Sequence, residues 1–159
     1  MQSGITNKIP ILSCRFALVV LLFVLLPAGQ MTFAQSTSLA AIGNSVGAPA
    51  QMNFQELRSV LKGEKQRWVN GTKVVIALMK TSTPTGISTS QKIYGLSGDD
   101  LDKFWLSLVF QGKAKAPVFF NSVSDLQSFV AQTPGAIGII DGSAVASSNN
   151  ILVDGKATF

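Results

Sequence analysis

KVVIALM, Lys73 to Met79, runs directly into KTSTPTGISTS, Lys80 to Ser90. The first stretch is apolar almost throughout and rich in β-branched residues, which fits a strand covered on both faces. The second is a polar loop crowded with hydroxyls that leads into a helix near Tyr94. Thr83 is placed as its N-cap and Pro84 at its first helical position, where a missing N–H costs nothing. A buried strand followed at once by a loop and a helix is the building unit of an α/β domain.

The flanks repeat that unit. Upstream, Asn70-Gly71 is a turn signal; with Thr72 it also forms a glycosylation sequon, relevant only in a eukaryotic secretory pathway. Asn53 with Glu56 three residues on reads as a capping box, and Phe54, Leu57, Val60 and Leu61 follow at helical spacing. Gly63 stops that helix. Leu39 to Ile42 is a short first strand, and Gly43 to Gln51 a loop rich in Gly, Ala and Pro. Downstream, Ser97 and Asp100 cap a helix whose buried face is Leu101, Phe104, Trp105, Leu108 and Val109. Pro117 to Phe120 reads as a strand. Ser122 and Asp125 form a third box ahead of Val123, Leu126, Phe129 and Val130, and Pro134-Gly135 ends that helix. Ala136 to Ile140 is a second buried strand, Ser147 to Asn150 a loop, and Ile151 to Val153 a last strand before Asp154-Gly155. The alternation predicts a single three-layer-like α/β domain with a mostly parallel sheet flanked by helices. No internal repeat or second domain is visible.

The N-terminus reads as an address. Lys8 and Arg15 precede an unbroken apolar run, Phe16 to Leu26, which Pro27 and Gly29 interrupt. Thr32-Phe33-Ala34 places small residues at the first and third positions, as signal peptidase prefers. Charged start, apolar core and small-residue exit make residues 1–34 a signal peptide cleaved after Ala34. The core of eleven residues falls short of the ~20 needed to span a bilayer. Cys14 lies before the core, which argues against a lipoprotein. The expected location is periplasmic or secreted, with no membrane contact after cleavage. The mature domain, 35–159, has no cysteine, so its stability must come from an apolar core, for which its length suffices. It keeps eleven Lys and Arg against eight Asp and Glu, net charge +3. These basic residues are scattered without a stripe or interleaved aromatics, so nucleic acid is not an expected partner.

Histidine is absent from the chain, which removes much of enzyme chemistry. Gly43-Asn44-Ser45-Val46-Gly47 matches the G-x-S-x-G nucleophile elbow, but that serine needs a base, normally histidine. A zinc site needs His or Cys in most cases, and the mature domain has neither. Asp99, Asp100 and Asp102 are favoured simply by a helix N-terminus. Gln111 to Lys115 lacks the paired glycines of a P-loop and reads as a solvated turn. No enzyme activity, metal or cofactor is expected. Lys80 to Ser90 retains chemical potential, because ligands of α/β sheets sit at the carboxyl ends of strands. Lys80, Thr83, Thr85, Gly86 and Ser88 are the candidate ligand-binding residues: one cation, hydroxyl donors, helix-start N–H groups and a glycine that permits close approach. The same composition fits an ordinary polar loop that caps its own helix.

Five stretches in order resemble the phosphate-type substrate-binding proteins of bacterial ABC transporters. They are Asn53 to Gly63 with Trp68 and Asn70-Gly71; Lys73 to Met79 with the hydroxyl loop; Phe104-Trp105 through Phe110 to Lys113; Val130 through Thr133-Pro134-Gly135-Ala136-Ile137-Gly138-Ile139; and Ile151 to Lys156. The resemblance implies a type II periplasmic binding protein fold, but only one of that family's two lobes. Its oxyanion loop runs Arg, an acid, then Ser-Gly-Thr. Here Lys80 stands near the Arg, Thr85-Gly86 near Ser-Gly, and Ile87 near the final Thr, with Ser88 beyond; the acid is absent. A planar bidentate guanidinium becomes a point-charge ammonium. The resemblance therefore implies a small oxyanion, phosphate or similar, held weakly. A second copy in a homodimer, or an envelope protein, would supply the opposite wall. The rival expectation is an envelope interaction module that keeps the fold without a ligand.

Overall fold

The computed structural model describes residues 37–145 and 149–159. The expected signal peptide over 1–34, and Ser147 and Ser148 of the expected loop, lie outside them.

Six strands form one sheet: β1 Leu39–Gly43, β2 Gln51–Met52, β3 Val75–Met79, β4 Val118–Phe120, β5 Ala136–Asp141 and β6 Asn150–Val153. Their order is β2-β6-β1-β5-β3-β4. β3 pairs parallel with β4 and β5, and β2 parallel with β6. β1 runs against its neighbours, with Leu39 opposite Asp141 on β5 and Ala41 opposite Ile151 on β6. The sheet is mostly parallel, as the alternating pattern predicts. The reversed β1 was not legible, because an apolar run looks the same in either direction. β2 emerges at the end of the stretch expected to be loop; two residues are too short to show a period.

Four helices flank the sheet: α1 Phe54–Leu61, α2 Pro84–Thr89, α3 Gly98–Phe110 and α4 Val123–Gln132. The period-two alternation of the strands sorts side chains between two cores. Leu39, Ala41, Ile76, Leu78, Ile137 and Ile139 pack on one face with residues of α1 and α3 and with Trp68. Ala40, Ile42, Ala77, Met79, Ala136 and Ile140 pack on the other with Leu126 and Val130 of α4. Each fully buried Leu or Ile contributes about 1.5–3 kcal/mol of transfer free energy. Gly138 lets α4 settle on β5: a Cβ there would lie 2.7 Å from Leu126.

The helices start where the caps predict. Asn53 accepts from the Glu56 N–H at 2.7 Å, and Ser97 and Ser122 accept from Asp100 and Asp125 at 3.2 Å. Only part of each box closes. Glu56 pairs instead with Lys65 at 2.6 Å, and the Asp100 carboxylate accepts from the Ser97 hydroxyl. α2 is shorter than expected and gives way to a wide π turn over Ser90–Tyr94 that ends at left-handed Gly95. At that junction Thr89 Oγ1 donates to the Thr85 carbonyl at 2.7 Å and Ser90 Oγ to Ser97 O. The Thr89 bond, made back to residue i−4, competes with the helical ladder. The turn delivers Tyr94 into the first core, where its hydroxyl donates to Leu61 O at 2.6 Å. Burial pushes that phenol well above its ordinary value, and the neighbouring Trp105 indole offsets this only in part.

Candidate functional site

β3, β4 and β5 end at the same edge of the sheet, and β1 begins there. The candidate loop leaves β3 at this edge. Its first task is to turn the chain: the Lys80 N–H still belongs to the sheet, donating to Phe120 O, and the Lys80 carbonyl accepts from the Thr83 N–H. Thr83 then starts α2. Its Oγ1 accepts from the Gly86 N–H at 3.0 Å and donates to Lys80 O at 2.8 Å. That hydroxyl serves the cap with both its donor and an acceptor.

Gly86 has an equally local reason. A Cβ there would overlap the Lys80 carbonyl oxygen and crowd that of Met79. Glycine is required because α2 packs onto the end of β3, so the close approach expected for a ligand is made by the protein's own backbone. Thr85 is buried and Ser88 half-buried, whereas Lys80 is exposed. Pro84 has no N–H and the Gly86 N–H is bonded to Thr83, so Thr85 offers the free amide of the first turn. The structure thus places Lys80 and Thr83 on the turn after β3 and Thr85, Gly86 and Ser88 in α2, and Thr83 and Gly86 hold that turn to the helix.

Asp141 was not singled out from sequence. It ends β5 at the same edge, where its Oδ1 accepts from the Ser143 N–H at 2.8 Å and from the Ser143 hydroxyl at 2.5 Å. The Ser143 hydroxyl, and then its backbone N–H, hold this carboxyl below its usual range. The signal available was Asp-Gly-Ser directly after a strand, a turn in which a short side chain accepts from the backbone two residues on. It places a fixed negative charge on the edge that carries the candidate loop. Among the described residues, no group of three His, Cys, Asp or Glu side chains could hold a metal ion. No described helix is long and apolar enough to cross a membrane.

No protein-family profile matches the sequence, and no curated protein does. Solved structures match its fold. An ABC-type phosphate transport receptor from Vibrio cholerae aligns at TM-score 0.60 and 17% identity, covering 77% of this chain and 49% of the receptor. PstS from Borrelia burgdorferi aligns at 0.56 and 18% identity, covering 76% and 48%. A Clostridium perfringens protein described as a phosphate ABC transporter substrate-binding protein, solved with bound phosphate, aligns at 0.56 and 16%, covering 76% and 46%. The fold is that of one lobe of these receptors. The chain spans about half the length of each. At such identities the likeness establishes the fold, in agreement with the sequence resemblance, and leaves the ligand to the residues of this chain.

Proposed function

We propose that the chain is an exported, non-enzymatic, solute-binding-like lobe that engages phosphate or a similar small oxyanion weakly at the Lys80–Ser88 loop. The observation that carries this reading is the position of the loop. It sits at the carboxyl edge of the sheet in a fold shared with phosphate receptors, and it carries the exposed Lys80 and the start of α2 at Thr85. Lys80, Thr85 and Ser88 are the ligand groups. Thr83 and Gly86 act behind them by fixing the loop. Export is supported by the leader-like residues 1–34.

Weak affinity is expected of a single lobe. An exposed ion competes with water for every hydrogen bond, and such bonds contribute little net. Asp141 adds an unfavourable charge at the same edge. A second wall, from another copy or from an envelope protein, would exclude that water. Amide chemical shifts recorded during titration with phosphate and sulfate test the reading. Shifts centred on Thr85 to Ser88 that saturate in the millimolar range are expected, and no movement there would contradict it.

One observation favours a second reading, a lobe that keeps the fold for protein contact alone. The Gly86 N–H is already taken by Thr83, and the apolar Ile87 beside it is exposed. Under that reading the chain co-purifies with an envelope protein, and Thr85→Ala with Ser88→Ala leaves the complex intact.

A further inference from the structure

The other end of β3 carries a cleft of about 390 Å³. It opens where β3 and β4 have not yet met, since their ladder starts at Ala77 and Val118. Val74, Val75, Ile76, Ala116 and Val118 line it, with Val74 and Ile76 on one face of the strand and Val75 on the other. Lys65, Arg67, Lys73 and Lys115 line the same cleft, and no Asp or Glu does. The fold gathers these cations from separate segments. Arg67 and Lys73 face each other across the turn at Asn70-Gly71. Lys65 is held between Glu56, at 2.6 Å, and the Trp68 ring, 5.8 Å from its centroid. Lys115 arrives on the connection from α3 to β4, which Gln66 Nε2 fixes by donating to Lys113 O. Among the described residues, Lys65 is ion-paired, whereas Arg67, Lys73 and Lys115 form no ion pair.

Like charges around an apolar floor raise the local potential, and an anion relieves it. A bare inorganic anion would meet the cations but leave the valine and isoleucine wall in water. The volume lies at the lower end of the ~300–1,000 Å³ typical of small-molecule pockets. We propose that this cleft binds a small organic anion: a phosphate, sulfonate or carboxylate head among Arg67, Lys73 and Lys115, and a compact apolar body against Val74 to Ile76 and Val118. The site is independent of the oxyanion loop. The five residues of β3 separate them, roughly 17 Å of extended chain.

Calorimetric titration of the purified protein with 1-naphthyl phosphate, and separately with inorganic phosphate, tests the proposal. The naphthyl ester should bind at least roughly tenfold more tightly than inorganic phosphate, because only it covers the apolar wall. Added salt should weaken it. Arg67→Gln with Lys73→Gln and Lys115→Gln should lower its affinity by roughly tenfold or more. Ala116→Trp, at an exposed position that fills the cleft, should abolish binding, whereas Thr85→Ala with Ser88→Ala should not change it. Equal affinity for the two ligands, full binding by Ala116→Trp, or loss in the Thr85 and Ser88 variant would overturn the proposal. Should a cleft variant fail to fold, amide shifts in the unsubstituted protein decide. Movement at Val74 to Ile76 and Lys115 to Val118 supports the site, and movement confined elsewhere overturns it.

Discussion

At both ends of β3 a glycine is pressed against a lysine carbonyl: Gly86 against Lys80 at the carboxyl end, Gly135 against Lys73 at the amino end. The backbone clamps are alike and their surroundings differ. The carboxyl end is rich in hydroxyls, with one exposed ammonium and the Asp141 carboxylate nearby in the sheet edge. The amino end has four cations lining a partly apolar cleft, and the one carboxylate beside them, Glu56, is paired with Lys65 outside the lining. Hydroxyls beside a helix start are drawn first to orphan backbone groups, as Thr83 is, so a hydroxyl-rich sequence overstates the donors left for a ligand. Lysine and arginine side chains are longer and reach beyond the backbone, so a fold can collect them into a site that no local pattern announces.

Substitution of the clamps should have the largest effect. Gly135→Ala would overlap the Lys73 carbonyl, and Gly135 has φ +77° besides. A loss of about 3 kcal/mol or more is expected in denaturant melts. Gly86→Ala meets a similar overlap without the left-handed backbone and should lose somewhat less. Wild-type stability in Gly86→Ala would break the comparison. Next, Thr83→Ala removes the cap and should lower stability by about 1–2 kcal/mol while leaving phosphate shifts at Thr85 and Ser88 in place. If that variant kept its stability and lost the shifts, Thr83 would be a ligand group after all.

Removing the three cations that form no ion pair among the described residues should sharpen the contrast. Arg67→Gln with Lys73→Gln and Lys115→Gln should change stability by no more than about 0.5 kcal/mol, because exposed charges contribute little. A large loss in a thermal melt would mean that these side chains serve the fold. The smallest effect concerns acid. Asp141 titrates lower in the folded chain than in the unfolded one. It therefore stabilises the fold above the ordinary carboxylate range, and that contribution is lost as pH falls through its folded value. Melts between pH 5 and pH 2 should show a slightly shallower acid limb in Asp141→Asn. The cation variants at the cleft should leave that limb unchanged.

Much of the fold was legible because its signals are local. Lys73 to Met79 announced β3 by composition, and Asn53, Thr83, Ser97 and Ser122 marked helix starts through a single side-chain bond each. The direction of β1 and the existence of β2 were not, since both depend on partners distant in sequence. The composition of Lys80 to Ser88 marks a candidate segment, but the roles of Thr83 and Gly86 depend on the Lys80 carbonyl, whose position only the packing of α2 on β3 fixes. The basic residues looked scattered along the chain. Lys115 in particular read as part of a solvated turn, yet the gap before the β3–β4 ladder brings it to the same cleft as Lys73.

The two ends of β3 are most directly compared by one pair of amide-shift titrations on the unsubstituted protein, with inorganic phosphate and with 1-naphthyl phosphate. Inorganic phosphate should move Thr85 to Ser88 and saturate only in the millimolar range. The naphthyl ester should move Val74 to Ile76 and Lys115 to Val118 at concentrations roughly tenfold lower. Both ligands moving the same residues at the same concentrations would contradict the account.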